Sequence, residues 1–340
     1  MKPEQKREIK GLTQTSLISA IITAVFMYWF YYPGWRSIAA GICIGGLMPV
    51  SLTLYTRHIY NRFLIKVNLL VALAVNTLAH LVVILVVAVI FIVIFYLRGN
   101  VKIILNDPSF FYSRLFLIGI GFGMLLTLGF NFFSILNTLI GRHVLAKLFI
   151  GIYRHPQETD RVFMFLDIKS STTIAEQIGH LKFMSLVNDF FYDITEPVFQ
   201  TNGEIYKYVG DEAIITWKTQ DAVEEANCIR CFQKINAVVS SRSDHYIKNY
   251  GLVPQFKAGL HGGISVTGEL GYTRREIAYM GDVLNTTARI EEACKTFGEP
   301  LLVSGDLVET MKNAGIRFKE VGQVKLRGKE NEMALYGLAE

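Results

Sequence analysis

The feature that most constrains this chain is the uneven distribution of its apolar residues. Nearly all long apolar runs lie before residue 141, whereas the rest of the chain alternates charged and apolar residues at short spacing. The chain has 340 residues, of which 51% are hydrophobic, and this share is high for a soluble protein of that length. The sequence therefore predicts two parts, an α-helical membrane domain followed by an α+β domain in the cytosol.

Four segments of the first part reach the length of about 20 apolar residues that a helix needs to cross a bilayer. They lie at roughly 13–32, 37–55, 70–97 and 112–138. A segment in lipid must satisfy its own backbone hydrogen bonds, so all four are predicted to be helical, including the third, which is rich in Val and Ile. The third is longer than a bilayer requires, and we expect it to tilt or to extend beyond the membrane.

The distribution of basic residues predicts the orientation of these spans. Lys and Arg are more frequent before the first span, between the second and third, and after the fourth than in the two remaining loops. This bias predicts a multi-pass protein of the cell (inner or plasma) membrane, embedded in lipid, with both termini and the second domain in the cytoplasm. The net charge of +5 comes largely from these flanks, so it does not support nucleic-acid binding.

The predicted domains are a four-helix transmembrane domain at 1–138, a helical linker at 139–156 and the α+β domain at 157–340. Between 136 and 149, apolar residues recur at three- and four-residue spacing until Pro156 ends the pattern. This pattern favours a short parallel coiled coil between two chains, and the alternative is an amphipathic helix that packs on its own domain. A membrane domain of this kind could have a sensory ligand or partner, whose identity the sequence does not indicate.

Beyond residue 160, the alternation of apolar and polar residues predicts a series of strands and helices. Strands are predicted at 162–167, 204–209, 213–217, 256–266 and 277–280, and helices at 172–199, 221–243 and 283–297. A short strand, a helix and two closing strands follow. Two βαβ-type halves joined with a hairpin imply an α+β sheet of the ferredoxin-like βαββαβ type, covered by helices.

Two aspartates stand where predicted strands end. Asp167 follows the apolar run 162–166, and Asp211 occupies a Gly-Asp turn between the runs 205–209 and 213–217. Taken alone, Asp167 could cap the next helix, and a Gly-Asp turn is common in hairpins. Taken together, two carboxylates on adjoining strand ends could share two magnesium ions, one activating a hydroxyl group and the other holding phosphates.

Polar residues at two predicted helices complete a set suited to a nucleotide. Ser170, Ser171 and Thr172 begin a helix whose free backbone amides can hold phosphate. Asn285 and Arg289 are four residues apart and share one helical face, where a guanidinium could stabilise developing negative charge. On its own, Arg289 would be an ordinary exposed cation on a helix.

These motifs, in this order, resemble those of the class III nucleotide cyclases, the adenylyl and guanylyl cyclase catalytic domains. The resemblance extends from about residue 160 to 338. It implies that Asp167 and Asp211, together with the main-chain carbonyl of Ile168, bind two Mg²⁺ ions per site, for which Mn²⁺ may substitute.

The resemblance also assigns the residues that bind the nucleotide. It implies that Asn285 orients the ribose and that Arg289 stabilises charge on the α-phosphate. Lys207 takes the position of the lysine that reads adenine, although alone it could be a strand-edge lysine that discourages pairing. Arg327 takes the position of the basic residue that binds the outer phosphates, with Lys329 beside it, and a solvated loop charge is the alternative.

Two positions depart from the family pattern. Ser170 stands where members of the family usually have glycine. Ala278 stands where the partner of the base-reading lysine is often Asp or Thr, and a methyl group cannot accept a hydrogen bond from the adenine amino group. Base selection therefore depends on Lys207, on main-chain carbonyls or on a water molecule.

The function implied by the resemblance is that of a membrane-anchored adenylyl cyclase, which converts ATP to 3′,5′-cyclic AMP and pyrophosphate at a homodimer interface. Lys207 favours ATP because an ammonium group offers no acceptor to the N1–H of guanine. The alternatives are a guanylyl cyclase and a catalytically silent membrane receptor that only binds nucleotide. The presence of both aspartates, Asn285 and Arg289 argues against a silent receptor.

Overall fold

The protein is described by a computed structural model that covers 3–30, 35–55, scattered residues between 71 and 133, and 151–339 without 274, 313, 314 and 326–331. The chain divides into two compact units, Met1–Leu145 and Ala146–Glu340. The predicted domain boundaries at 138 and 157 stay a prediction.

The first unit contains two long helices, α1 (Pro3–Phe30) and α2 (Trp35–Tyr55). They pack with their backbones close together. A Cβ atom added at Gly41 would lie 2.4 Å from the Cα atom of Ala24, and one added at Gly45 would lie 2.4 Å from the carbonyl oxygen of Ser19. Glycines four residues apart therefore form the contact surface of α2, as in the small-residue packing common between membrane helices.

The predicted membrane spans are not confirmed by these helices. Within the residues that the structure describes, no helix is both long enough and apolar enough to cross a bilayer. That finding covers the predicted spans at 13–32 and 37–55 as far as their residues are described. The predicted spans at 70–97 and 112–138, and the linker as far as residue 150, lie wholly or largely outside the described residues.

The second unit begins with a 3₁₀ turn (Ile152–Arg154) and continues with β1 (Gln157–Ile168), α3 (Ser171–Ile178), α4 (His180–Gln200), β2 (Glu204–Val209), β3 (Glu212–Lys218), α5 (Thr219–Val223), a 3₁₀ turn (Glu224–Ala226), α6 (Asn227–Ser241) and α7 (Ser243–Tyr250). It ends with β4 (Phe256–Leu270), β5 (Glu276–Met280), α8 (Asp282–Phe297), β6 (Leu301–Ser304), α9 (Gly305–Thr310), β7 (Phe318–Lys325) and β8 (Glu332–Leu338).

The strands form one mixed sheet in the order β2-β3-β1-β4-β6-β8-β7, and β5 pairs with β4. Strands β4, β1, β3 and β2 lie side by side in that order, and each neighbouring pair is antiparallel. This is the strand order of a ferredoxin-like βαββαβ unit. β6 then joins β4 in parallel. The predicted α+β fold of this part of the chain is confirmed.

Strand β1 is buried on both faces. Val162 and Met164 pack in the main core with residues of α4 and α6, whereas Phe163 and Phe165 pack on the opposite face with Val283 of α8. Alternate side chains of one strand thus contribute to two cores, because successive residues point to opposite sides of a sheet. This packing fixes the end of β1, where Asp167 lies.

Two predicted helices are divided in the structure. The predicted helix at 172–199 is interrupted at Gly179, whose φ of 85° lies in the left-handed region that favours glycine. The predicted helix at 221–243 is interrupted at Glu225, which has a φ of 48°. A single kink leaves the apolar spacing on each side unchanged, so periodicity did not predict these breaks.

Candidate active site

The two aspartates lie at neighbouring strand ends. Asp167 is the penultimate residue of β1, and Asp211 lies in the turn between β2 and β3, next to Gly210 with its φ of 64°. β3 pairs with β1 so that Glu212 lies opposite Asp167. The two carboxyl groups are close enough for the negative charge of Asp211 to raise the pKa of Asp167, so the structure brings together the two residues predicted as metal ligands.

Four acidic side chains interact at this edge of the sheet, and we call them the acidic corner: Asp167, Asp211, Glu212 and Glu291. Burial, followed by the negative charges of Asp211 and Glu291, raises the pKa of Asp167 to about 6. Burial and the charges of the other three raise the pKa of Glu212 to about 7. Each shift means that ionisation of the group is less favourable here than in water, and a nearby cation would offset this cost.

One lysine partly compensates this negative charge. Lys257 lies opposite Asp167 on β4, and its Nζ atom is 2.6 Å from Oε1 of Glu291 and 3.5 Å from Oδ2 of Asp167. Although burial works to lower it, contact with these carboxylates raises the pKa of Lys257. Lys257 brings one positive charge to four carboxyl groups.

The acidic corner fits a divalent cation. Oδ2 of Asp211 is buried and has no hydrogen-bond partner among the described residues. The part of the chain that the structure describes has no cluster of three or more His, Cys, Asp or Glu residues arranged to hold a metal. The predicted ligands, the carboxylates of Asp167 and Asp211 with the carbonyl of Ile168, are oxygen donors of the kind that suits Mg²⁺ or Mn²⁺.

The predicted phosphate-binding residues follow directly after β1. Ser170 has φ 58° and ψ 32°, and its side chain makes no capping hydrogen bond to α3. The side chain of Ser170 therefore does not cap α3. Ser171 and Thr172 form the first turn of α3, whose amides are close in sequence to Asp167.

Helix α8 carries Asn285, which is exposed, and Arg289, which is half-buried. The helix lies so close to β4 that a Cβ atom added at Gly259 would be 2.3 Å from the backbone nitrogen of Glu291. Glu291 is in turn bound to Lys257. The helix with the predicted transition-state residues is thus fixed to the acidic corner of its own chain.

The predicted base-reading residues lie on β2 and β5. Lys207 is exposed on β2, and Ala278 is buried on β5. Nζ of Lys207 lies 3.4 Å from Oε2 of Glu276, two residues before Ala278. We call Lys207, Glu276 and Ala278 the base corner. Arg327 and Lys329 lie outside the described residues, and the roles predicted for all site residues stay predictions.

The sequence motifs did not predict four charged residues of the acidic and base corners. They are Glu212, Lys257, Glu276 and Glu291. A signal for Lys257 was present, because it is the one Lys, Arg, Asp or Glu in the strand predicted at 256–266. Glu291 likewise lies on the buried face of α8 with Thr287 and Cys294, at helical spacing.

This α+β sheet, with Asp167 near the end of β1 and Asp211 in the adjoining β2–β3 turn, has the arrangement of a nucleotide cyclase domain of the class that the motifs resemble. Residues 154–340 match the family described as the Adenylate and Guanylate cyclase catalytic domain. The chain belongs to that family, and the predicted identity of its second domain is confirmed.

Several individual proteins are similar to this chain. Adenylate cyclase 2 of Rhizobium meliloti (strain 1021) is 37% identical over 201 residues, which are 59% of this chain and 55% of that protein. Adenylate cyclase 1 of the same organism is 26% identical over 178 residues, or 51% of this chain and 26% of that protein. The chain thus spans about half, or less, of the length of these relatives.

A solved structure of a bacterial light-regulated adenylyl cyclase is also similar. Its TM-score is 0.57 at 19% sequence identity, and the match covers 67% of each chain. At this level of identity, the similarity shows the fold alone.

Proposed function

We propose that this protein is an adenylyl cyclase, which converts ATP to 3′,5′-cyclic AMP and pyrophosphate. The observation that carries the proposal is the acidic corner, where Asp167 and Asp211 are in contact, partly buried and short of positive charge. It lies in a domain of the cyclase family, and the relative that is 37% identical bears the name adenylate cyclase. A divalent cation is the partner that such a pair requires.

The reaction joins the ribose 3′-oxygen to the α-phosphorus and breaks the bond from that phosphorus to pyrophosphate, while the hydroxyl proton passes to solvent. Asp167 and Asp211 would hold two Mg²⁺ ions. Bound magnesium supplies a Lewis acid that lowers the pKa of the 3′-hydroxyl and neutralises phosphate charge. Asn285 orients the ribose, and Arg289 stabilises the charge that grows on the α-phosphate.

We propose that the site is shared within a homodimer. One chain provides Asp167 and Asp211, and the other provides Lys207, Asn285 and Arg289, so that two-fold symmetry creates two equivalent sites. Large exposed apolar side chains on the strands and turns of the second unit support an interface of this kind. They include Val209, Ile264, Tyr272 and Met280.

We further propose that the first unit anchors the enzyme in the cell membrane, with both termini in the cytoplasm. The apolar content before residue 141 supports this, as do the glycine contacts between α1 and α2 and the exposed apolar residues of these helices, such as Leu17, Trp29 and Leu47.

The proposal is tested with the purified full chain in detergent, supplied with ATP or GTP and with Mg²⁺ or Mn²⁺. We expect cyclic AMP and pyrophosphate in equal amounts, a kcat/KM for ATP well above that for GTP, and no product in the presence of a chelator. Equal or higher kcat/KM for GTP would indicate a guanylyl cyclase. Nucleotide binding without either product would indicate the silent receptor.

A further inference from the structure

We propose that Glu276 is a specificity-determining residue, whose carboxylate accepts the hydrogen bond from the adenine amino group that Ala278 cannot accept. This inference rests on the proposed adenylyl cyclase function. It assigns to Glu276 a role for which the sequence offered only main-chain carbonyls or water.

The position of Glu276 follows from strand geometry. Glu276 and Ala278 are two residues apart on β5, so their side chains are on the same face, about 7 Å apart along the strand. From there the carboxylate reaches Lys207, with its two oxygens 3.4 and 3.5 Å from Nζ. Glu276 is therefore adjacent to both positions predicted to read the base.

Contacts beside Lys207 and Glu276 hold β2 and β5 together. The rings of Tyr206 and Tyr279 meet edge to face with centroids 4.8 Å apart, and the Tyr279 amide donates a hydrogen bond of 3.2 Å to the Tyr206 hydroxyl. Arg161, which is 5% exposed, donates to the Tyr279 hydroxyl and to Glu204. The proximity of Lys207 and Glu276 is thus supported by an aromatic and hydrogen-bonded framework.

The pair offers the chemistry that a lysine alone lacks. An ammonium group only donates hydrogen bonds, whereas a carboxylate only accepts them. With Lys207 donating to N1 of adenine, Glu276 accepts from the 6-amino group, and both polar groups of that base edge are satisfied. Guanine presents N1–H and O6 at the same places, so it would leave each charged group facing the wrong partner.

The ion pair between Lys207 and Glu276 contributes little to the stability of the fold. The side chains of Lys207 and Glu276 are 47% and 42% exposed, and ion pairs with such exposure contribute little to folding. A bound nucleotide would shield them from water and strengthen their hydrogen bonds.

The experiment compares ATP with purine riboside triphosphate, which lacks the 6-amino group, in the full chain and in Glu276→Ala. In the wild type we expect kcat/KM for the analogue to be about 10- to 100-fold lower than for ATP, as is typical for loss of a hydrogen bond to a charged acceptor. Glu276→Ala should lower kcat/KM for ATP by a similar factor and leave the analogue nearly unchanged. Glu276→Gln retains an acceptor and should preserve most of the difference.

The matched control is Glu269→Ala, because Glu269 belongs to the same β4–β5 hairpin but pairs with Arg275 at 3.1 Å. It should leave kcat/KM for both nucleotides unchanged. Equal losses for ATP and the analogue in Glu276→Ala would overturn the inference, as would no loss at all, or equal use of the two nucleotides by the wild type. Turnover of neither nucleotide by the wild type would instead refute the proposed function.

If Glu276→Ala does not fold, as judged by its thermal midpoint, the wild type and Glu276→Gln carry the test. The inference is supported if the wild type prefers ATP to purine riboside triphosphate and Glu276→Gln largely retains that preference. A preference for GTP over ATP in the wild type reverses the assignment, with Lys207 bound to O6 of guanine, and contradicts it.

Discussion

The acidic corner and the base corner differ in how deeply their charges are buried. The side chains of Glu291, Lys257 and Asp167 are 6%, 16% and 24% exposed, whereas those of Lys207 and Glu276 are 47% and 42% exposed. Charges removed from water are coupled strongly to folding, and exposed charges are coupled weakly. A change in the acidic corner should therefore alter stability and activity together, and a change in the base corner mainly selectivity.

The sheet explains this difference. The acidic corner is built around β1, which lies between β3 and β4 and is buried on both faces. The base corner is built on β2, at one end of the strand order, and on β5, which pairs with β4 beside the main path. Asp167 thus lies on a strand with neighbours on both sides, and the predicted base-reading residues lie on the outer strands.

The largest expected effect comes from removing one of the two carboxylates predicted to bind metal. Asp211→Asn should reduce cyclase activity about a thousandfold, because bound metal lowers the activation free energy of the reaction by several kcal/mol. The same change should raise the thermal midpoint measured in a chelator, because it relieves repulsion with Asp167. Asp160→Asn, which removes an exposed carboxylate from β1, the strand that carries Asp167, is the control and should change neither quantity. A lower midpoint for Asp211→Asn would contradict the account.

A second prediction compares a buried ion pair with an exposed one. Lys257→Met leaves Glu291 and Asp167 without their cation and should lower the free energy of unfolding by about 3 kcal/mol. Lys312→Met removes the exposed pair with Glu309 and should cost less than about 0.5 kcal/mol. Urea denaturation measures both. Similar losses in the two variants would show that burial does not separate these charges.

The third prediction concerns pH. The pKa of Asp167 is raised from 3.8 to about 6 in the folded protein, so the folded state binds this proton more tightly than the unfolded state. Without metal, the wild type should therefore lose stability relative to Asp167→Asn as pH rises from about 4 to 6, with no further change above about 7. Thermal midpoints of both proteins across this range, in chelator, measure the difference. A wild type that gains stability relative to Asp167→Asn as the pH rises would contradict this prediction.

The smallest expected effect is at the start of α3. Ser170 has a φ of 58°, a conformation that costs free energy for any residue with a Cβ atom. Ser170→Gly should stabilise the protein by about 0.5 kcal/mol, since part of the relief is offset by the greater freedom of glycine when unfolded. Ser171→Gly, one residue further into the helix, should instead destabilise it. The same sign for both variants would argue against a left-handed conformation at Ser170.

Local patterns predicted the elements of the second unit well. The strand predicted at 204–209 is β2, Glu204–Val209, and the helix predicted at 283–297 is α8, Asp282–Phe297. Both have strong periodicity, which depends only on neighbouring residues. β1 begins at Gln157 rather than at 162 because its first residues pair with β4, where Thr159 hydrogen-bonds to Thr267, and such pairing has no local signal.

The charged environment of the site was harder to predict, for the same physical reason. Lys257 and Glu291 meet because β4 pairs with β1 and because Gly259 allows α8 to approach β4 closely. Lys207 and Glu276 meet across 69 residues of sequence. Chemistry carried on one strand end or one helix face could be inferred from spacing, whereas ion pairs between distant elements required the fold.

The central claim is that one active site combines the acidic corner of one chain with Lys207, Asn285 and Arg289 of another. Asp211→Asn and Arg289→Ala test it most directly, because each variant alone should be almost inactive. When the two are mixed and allowed to exchange subunits, a heterodimer carries both defects in one site and leaves the other intact. Random exchange should then restore about a quarter of wild-type activity. Mixtures that stay inactive, although differently tagged subunits co-purify, would contradict the shared site and favour a site formed within a single chain.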